Sequence, residues 1–158
     1  RRYGRDLERM SEHAVLNSNY LRHKIMNPDP DVAAKINCMP SEGSEASLAM
    51  HEFTLSMSPV KEVNGVTGKD VAKRLLDYGY MSPTLYFPQI VPECLMIEPT
   101  ETESKEVLDK FAADFHAVLS EDPEIVTSAP HTTPVKRVDE VWAARNLILR
   151  HPGNESED

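Results

Sequence analysis

The amino-acid sequence predicts a small α+β domain whose sheet is covered by helices on one face. Residues 51–58 alternate between apolar and polar side chains, and residues 94–98 form a short apolar run; both patterns are typical of strands. Residues 67–78 and a later segment ending near Leu119 repeat apolar side chains at helical spacing. The order of strand, helix, strands and helix is that of an α+β layer with an antiparallel or mixed sheet.

The composition is that of a soluble protein with one domain, or one domain and an appendage. The chain has 158 residues, of which 40% are apolar and 27% are charged. Its formal net charge of −9 argues against a nucleic-acid partner, because phosphate binding requires clustered lysine and arginine. No run approaches the roughly 18 consecutive apolar residues of a membrane span, so no membrane partner is expected.

The two cysteines predict a reducing compartment. Cys38 and Cys94 have no metal-ligand spacing, and we expect two reduced thiols in a cytoplasmic protein. No signal peptide opens the chain. It starts at Arg1-Arg2-Tyr3 without an initiator methionine, which fits a fragment excised from a longer protein.

Five regions divide the chain. Residues 1–26 are predicted to contain a long helix, and Pro28 and Pro30 stop it. Residues 27–49 are predicted to be an irregular loop with one weak helical turn at 30–36. The remaining regions are the small α+β domain at 50–122, an extended tail with a short helix at 123–150, and a disordered end at 151–158.

Within the small domain the strand at 51–58 is predicted to bury Phe53, Leu55 and Met57 and to expose Thr54, Ser56 and Ser58. Asn64-Gly65 is a turn signal. Thr67 is predicted to cap the next helix, Asp70 is an acidic residue that the positive end of the helix favours, and Gly79 is predicted to end the helix.

The second helix of the small domain follows an acidic segment. Thr100 and Glu103 form a predicted capping box. One face of the helix is expected to carry Val107, Leu108, Phe111, Phe115, Val118 and Leu119.

The residues alone reveal no recognisable active site. His23-Lys24 fits the last turn of a helix, where positive side chains complement the dipole. His51-Glu52 could perform acid–base chemistry, but neighbours in a strand point to opposite faces, so we expect them to diverge. The carboxylates of 98–103 are explained by a helix N-terminus, and no metal is expected. No glycine-rich phosphate loop and no GxSxG motif occur in the sequence.

Five segments carry a resemblance to one family. They are AVLNSNYL at 14–21, MHEFTLS at 50–56, DVAKRLLDYGYMSPTLYFP at 70–88, LMIEPTETESKEVLDKF at 95–111 and APHTTPVKRVDEVWAARNLILR at 129–150. In this order they resemble the C-terminal part of the P-protein of the glycine cleavage system, a pyridoxal-phosphate-dependent glycine decarboxylase. The last segment is similar to the tail of subunit 2 of its two-subunit form.

The resemblance implies the small C-terminal domain of a fold-type-I pyridoxal enzyme. That family decarboxylates glycine and transfers the aminomethyl group to the lipoyl group of H-protein, with P-protein subunit 1 as partner in a hetero-oligomer. Pyridoxal 5′-phosphate is held by a lysine of the large domain. None of the eight lysines here lies in a matching motif, so the fragment alone is expected to lack the cofactor and to be inactive.

The resemblance also marks candidate residues near the active site, although no catalytic residue is expected in the fragment itself. Motif positions near strand ends are occupied by His51, Ser82, Thr84, Glu98 and Thr100. Of these, His51 and Thr84 are expected to approach the cleft, with Glu98 to Thr100 shaping its surroundings. The family often has histidine where this chain has Met81, which cannot usefully exchange a proton.

Two alternatives remain at this stage. One is a freestanding α+β ligand-binding or regulatory module. The other is the C-terminal domain of a different fold-type-I enzyme, such as an aminotransferase or a relative of cysteine desulfurase. The start of the helix after Glu98 and the tail at 129–150 favour glycine decarboxylase. We expect that tail to lie across the large domain or the partner subunit, exposing Val138, Val141, Trp142, Leu147 and Ile148 in the isolated chain.

Overall fold

A computed structural model describes residues 4–43 and 48–150. A short 3₁₀ turn at Gly4–Asp6 precedes the first helix. The helices are α1 (Leu7–Met26), α2 (Pro30–Ala33), α3 (Ser58–Asn64), α4 (Gly68–Asp77), α5 (Lys105–Ser120), α6 (Pro123–Ser128) and α7 (Glu140–Arg145). The strands are β1 (Ser41–Glu42), β2 (Phe53–Ser56), β3 (Thr84–Leu85) and β4 (Cys94–Ile97).

The four strands form one antiparallel sheet in the order β1-β2-β4-β3. The predicted α+β class is confirmed, and the sheet is antiparallel rather than mixed. At its centre, β2 pairs with β4 in a register that opposes Phe53 to Ile97 and Ser56 to Cys94. The loop at 27–49 contains the predicted helical turn as α2, but it also supplies edge strand β1, which the sequence did not predict.

The core lies where α1, α4 and α5 meet the sheet. Helix α5 contacts both α1 and α4, while α1 contacts β2, and α4 contacts β3 and β4. Phe53, Leu55 and Met57 are buried, as the alternation predicted. Ser56 was predicted to be exposed but is buried as well, because its hydroxyl donates to the carbonyl of Pro92 at 2.7 Å.

Helix α3 was not predicted. Pro59 ends the strand, as expected, but it also lies in the first turn of a helix, where its missing N–H costs no hydrogen bond. The predicted turn signal Asn64-Gly65 is therefore the end of α3. Gly65 has φ of 80°, a left-handed conformation that glycine adopts without strain.

Helix α4 is capped as predicted. The N–H of Asp70 donates to the Thr67 hydroxyl at 3.2 Å, and the N–H of Thr67 donates back to the Asp70 carboxylate at 2.8 Å. Gly79, with φ of 85°, follows the end of the helix. The reciprocal hydrogen bonds of Thr67 and Asp70 satisfy two N–H groups that have no backbone partner in the first helical turn.

Helix α5 begins later than predicted. Its N-cap is Ser104, whose hydroxyl accepts the N–H of Val107 at 3.4 Å, so the predicted capping box of Thr100 and Glu103 is wrong. Val107 is 43% exposed and Val118 only 2% exposed, although both were placed on the buried face. Val107 lies on the wall of a cleft, where no other element covers it.

The predicted extended tail is wrong over its first part. Residues 123–128 form α6, which packs on α4, and Val126, Ala129 and Pro130 are buried. The apolar face of α6 thus completes the core. The later short helix is confirmed as α7, and residues 134–150 are all exposed, including the five predicted apolar side chains. The predicted disorder of 151–158 lies outside the described residues.

Polar contacts attach the tail to α4. One oxygen of Asp77 accepts the N–H groups of His131 and Thr132 at 2.7 and 2.8 Å, and the other accepts Arg74 at 2.9 Å. Arg137 forms an ion pair with the buried carboxylate of Asp70 at 2.7 Å. Burial opposes ionisation of Asp77, but the N–H groups of Thr132 and His131 and the donors of Thr132 and Arg74 lower its pKa to about 2.

Both cysteines are free thiols, as expected. Among the described residues, no helix has the length and apolar character to cross a membrane. The 20 residues of α1 carry charged side chains along their length.

The two valines of α5 provide a test of this packing. Val118→Ala removes two methyl groups from the closed core and should lower the free energy of unfolding by about 2 kcal/mol. Val107→Ala makes the same change at the cleft wall and should change it by no more than about 0.5 kcal/mol. Urea unfolding followed by circular dichroism measures both. Equal losses would show that Val107 is part of the closed core.

Asp77 should make the stability depend on acid pH. Its pKa is about 2 in the folded chain, against about 3.9 in an unfolded one, so its stabilisation is present above pH ~4 and is lost as the pH falls towards 2. Asp77→Asn should lower the free energy of unfolding at pH 7 by about 1–3 kcal/mol, the range for hydrogen bonds to a charged group. Asp77→Asn should also make the decline in the free energy of unfolding between pH 4 and 2 less steep.

The control for this prediction is Asp31→Asn, which changes an exposed aspartate of α2. Denaturant unfolding at pH 7, 4, 3 and 2 should give the wild-type decline for this control. An Asp77→Asn chain that keeps the full acid-dependent decline would contradict the assignment to Asp77.

Candidate active site

A cleft of about 310 Å³ lies beside the β3–β4 edge of the sheet. The segment from Tyr80 to Thr84 forms one side, the first turns of α5 form the other, and the C-terminal part of β4 borders it. Most of the lining is apolar and comes from Leu21, Met81, Pro83, Met96, Ile97, Pro99, Val107, Leu108 and Phe111. A cleft with this surface favours an apolar group over bulk water.

Tyr80 is the anchor of the first side. Its ring meets Phe111 edge to face at a centroid distance of 4.9 Å, and its hydroxyl donates to Asp114 at 2.6 Å. Burial, followed by this hydrogen bond, raises the pKa of Tyr80 above its ordinary value. The tyrosine is therefore neutral at physiological pH and holds the segment 80–84 against α5.

At the mouth of the cleft His51 lies between two carboxylates. Its Nε2 is 3.7 Å from Glu98 and 3.9 Å from Glu52. The prediction that His51 and Glu52 diverge is wrong, because His51 precedes β2 and does not follow the alternation of the strand. The three side chains are between 37% and 56% exposed, so they remain accessible to solvent and to a ligand. The imidazole of this group can exchange a proton with a ligand or with solvent.

The sheet register brings this group together. Phe53 is paired with Ile97 in the β2–β4 ladder. The next residues outward are Glu52 on one strand and Glu98 on the other, and His51 lies one step beyond. Glu52 and Glu98, which are 46 positions apart in sequence, therefore lie at the same end of the paired strands.

Three of the five predicted site residues line this cleft, and a fourth lies beside it. Ser82, Thr84 and Glu98 line it, and His51 contacts Glu98. Thr100 does not line it: its hydroxyl pairs with that of Thr102 at 2.7 Å. The structure thus groups residues that the resemblance had marked separately, while their chemical roles remain predictions.

Several residues of the site were not predicted. Tyr80 follows Gly79, the position at which an apolar side chain commonly packs back on a helix end, and this signal could have identified it. Glu103 was assigned to a capping box, yet it lines the cleft. The sequence pattern marked Asn17 and Ser18 only as interruptions of the apolar stripe of α1, but Asn17 binds the carbonyl of Thr100, and Asn19, which was not singled out, binds that of Ala49.

Met81 lies on the cleft wall with 91% of its surface exposed. It is the position at which the resembling family often has histidine. A methionine here supplies apolar contact and no proton exchange. The imidazole of His51 lies 3.7 Å from Glu98, which lines the cleft.

The cleft does not fit the cofactor of the resembling family. Its lining contains Glu98 and Glu103 but no lysine or arginine, so it offers neither an amine for an aldehyde nor a cation for a phosphate. Among the lysines, hydrogen bonds to carboxylates raise the pKa of Lys61, Lys105 and Lys110, the opposite of what a reactive amine requires. In residues 4–43 and 48–150, no cluster of three His, Cys, Asp or Glu could hold a metal ion.

The fold and the site together define a small α+β domain with a mainly apolar cleft that carries Glu98 and Glu103 but no lysine. Residues 10–137 match the glycine dehydrogenase C-terminal domain. The chain therefore belongs to that family, and the resemblance seen in the sequence is confirmed.

Curated relatives agree with the family. The chain is 49% identical over 154 residues to the probable glycine dehydrogenase (decarboxylating) subunit 2 of Thermotoga maritima, covering 95% of this chain and 30% of the relative. For the proteins of the same name from Aquifex aeolicus and Methylococcus capsulatus, the identities are 46% over 151 residues and 48% over 146 residues. These alignments cover 94% and 90% of this chain but only 29% and 28% of the relatives.

Proposed function

We propose that the chain is the C-terminal domain of subunit 2 of a glycine decarboxylase, the P-protein of the glycine cleavage system. The full enzyme would decarboxylate glycine and pass the aminomethyl group to the lipoyl group of H-protein, with subunit 1 as its partner. The family match and the names of the relatives support this proposal over a freestanding module or another pyridoxal enzyme. The relatives are more than three times as long as the matched part.

The proposal places the cofactor on the part of the subunit that precedes this domain. Pyridoxal phosphate, when bound there in a fold-type-I large domain, would accept electron density from the carbon that loses carbon dioxide. A mainly apolar cleft whose charged lining residues are Glu98 and Glu103, without lysine or arginine, supports this division. The 158-residue chain alone should neither bind the cofactor covalently nor decarboxylate glycine.

The domain would supply one wall of the active-site cleft. The observation that carries this proposal is the convergence of His51, Ser82, Thr84 and Glu98 on one cleft. The apolar lining would exclude water. The hydroxyl groups of Ser82 and Thr84 would orient polar atoms, and the imidazole of His51 beside Glu98 would hold or release a proton at Nε2.

The outer part of the tail would contact the rest of the enzyme. Two of its charged side chains form ion pairs with this domain. Arg137 pairs with Asp70 at 2.7 Å, and Glu140 pairs with Lys69 at 3.0 Å. Its apolar side chains are exposed instead: Val138, Val141, Trp142, Leu147, Ile148 and Leu149 are each more than 50% exposed. Surface of this kind is typical of an interface.

His51 can be tested in the complete enzyme. His51→Gln in the full subunit, assembled with its partner subunit, should lower glycine–bicarbonate exchange by about 10²-fold, the lower end of the range for general acid–base groups. Because the side chain is 55% exposed, the melting temperature should not change.

The matched control is His23→Gln, at the exposed end of α1. Exchange should stay at the wild-type rate in that variant. Full activity of His51→Gln would remove His51 from the mechanism, and a lowered melting temperature would assign the loss to folding.

The tail contact can be tested by hydrogen exchange. Amide exchange over residues 138–149 should be slower in the complete enzyme than in the isolated chain, because covered backbone is protected from solvent. Residues 71–77 of α4 belong to the closed core and should exchange equally in both. Equal exchange at 138–149 would contradict an interface on the tail.

A further inference from the structure

Asn19 joins α1 to the segment that precedes His51. Its side-chain amide donates to the carbonyl of Ala49 at 2.7 Å and accepts the N–H of Ala49 at 2.9 Å. The same amide nitrogen also donates to the carbonyl of Val15 at 2.8 Å, within its own helix. Both backbone groups of Ala49, two residues before His51, are therefore bound by one half-buried side chain.

Asn17 makes the corresponding contact with the segment that follows Glu98. Its amide nitrogen donates to the carbonyl of Thr100 at 2.9 Å and to that of Glu103 at 3.1 Å. Thr100 lies two residues after Glu98. The turn between β4 and α5 is thus bound to α1 at two carbonyl groups.

The two asparagines flank the buried stripe of α1. Successive residues of a helix are rotated by about 100°, so Asn17 and Asn19 lie on either side of Ser18. Ser18, Leu21 and Ile25 are buried against the domain. Because this stripe is fixed in the core, α1 places Asn19 against the segment that precedes His51 and Asn17 against the segment that follows Glu98.

The ion pair itself cannot hold these segments in place. His51 Nε2 and Glu98 Oε1 are 3.7 Å apart, and the side chains are 55% and 56% exposed. Such an exposed pair contributes only about 0–1 kcal/mol. The β2–β4 ladder ends at Phe53 and Ile97, so His51 and Glu98 lie beyond its last paired residues.

We propose that Asn17 and Asn19 are positioning residues, which fix the backbone on both sides of the cleft mouth and thereby set the distance between His51 and Glu98. Asparagine suits this role because its amide donates and accepts at once, as the contact with Ala49 requires. It is also a weaker helix former than alanine, by up to about 0.7 kcal/mol, so two asparagines inside α1 require a tertiary benefit.

The geometric inference does not depend on the proposed enzymatic function. Positioning concerns the distance between two side chains in this chain, and it can be measured without substrate or cofactor. Only the expectation that the distance matters for catalysis rests on the proposed function. The experiment below therefore separates a failure of positioning from a failure of the glycine decarboxylase assignment.

The experiment is a double-mutant cycle read at His51 by nuclear magnetic resonance of the 158-residue chain at fixed pH. Glu98→Gln should shift the ring signals of His51, because the carboxylate is 3.7 Å from Nε2. In an Asn19→Ala background, Glu98→Gln should shift the ring signals of His51 by about half as much or less, because the coupling falls when the two side chains separate. Asn17→Ala should act in the same direction from the other side.

Asn27→Ala is the matched control, because the amide of Asn27 donates to the carbonyl of His23 at the end of its own helix and joins no second segment. It should leave the response of His51 to Glu98→Gln unchanged. An undiminished response in both Asn19→Ala and Asn17→Ala, or an equal loss in Asn27→Ala, overturns the proposal.

A second variant of Asn19 covers the case in which alanine unfolds the chain. Asn19→Asp keeps the oxygen that accepts the Ala49 N–H, but it loses the donor to the Ala49 carbonyl. It should reduce the His51 response, and a wild-type response in a folded Asn19→Asp chain counts against the proposal. In the complete enzyme, Asn19→Ala and His51→Gln together should lower exchange no further than His51→Gln alone.

Discussion

The β2–β4 ladder is the constraint on which the rest of the molecule depends. It joins Phe53 to Ile97 and Ser56 to Cys94, although α3, α4 and β3 separate the two strands in sequence. Each of its backbone hydrogen bonds contributes only about 0.5–1.5 kcal/mol, but the register they fix is discrete. A shift by one residue would turn Leu55 and Leu95 out of the core and separate His51 from Glu98. Fold and candidate site are therefore specified by the same pairing.

Local signals in the sequence were sufficient where the structure is locally determined. The Thr67 cap satisfies α4 from within its own first turn, and the sequence predicted this cap, although not the bond that the Asp70 carboxylate accepts in return. At α5 two hydroxyl residues competed, and Ser104 is the cap although Thr100 also has the expected spacing. Helix α6 has only six residues, and its formation depends on burial of Val126 beside α4, a contact that a local pattern does not contain.

The candidate site shows the same division. The resemblance marked His51, Thr84 and Glu98 individually, but only the sheet register reveals that they surround one cleft. Asn17 was marked only as an interruption of an apolar stripe, and Asn19 was not marked at all. Their partners lie 83 and 30 residues further along the chain, so the sequence pattern alone could not assign them.

The core closes at Pro130, some twenty residues before the last described position. Beyond that point the backbone is attached through a few carboxylates and arginines, and its side chains fill no space inside the domain. Substitutions after residue 133 are thus constrained mainly by the surface that this segment contacts, and much less by the folding of the domain. Sequence divergence between species after residue 133 would therefore follow changes in the surface that the segment contacts. Divergence before Pro130 would follow changes in the packing of this domain.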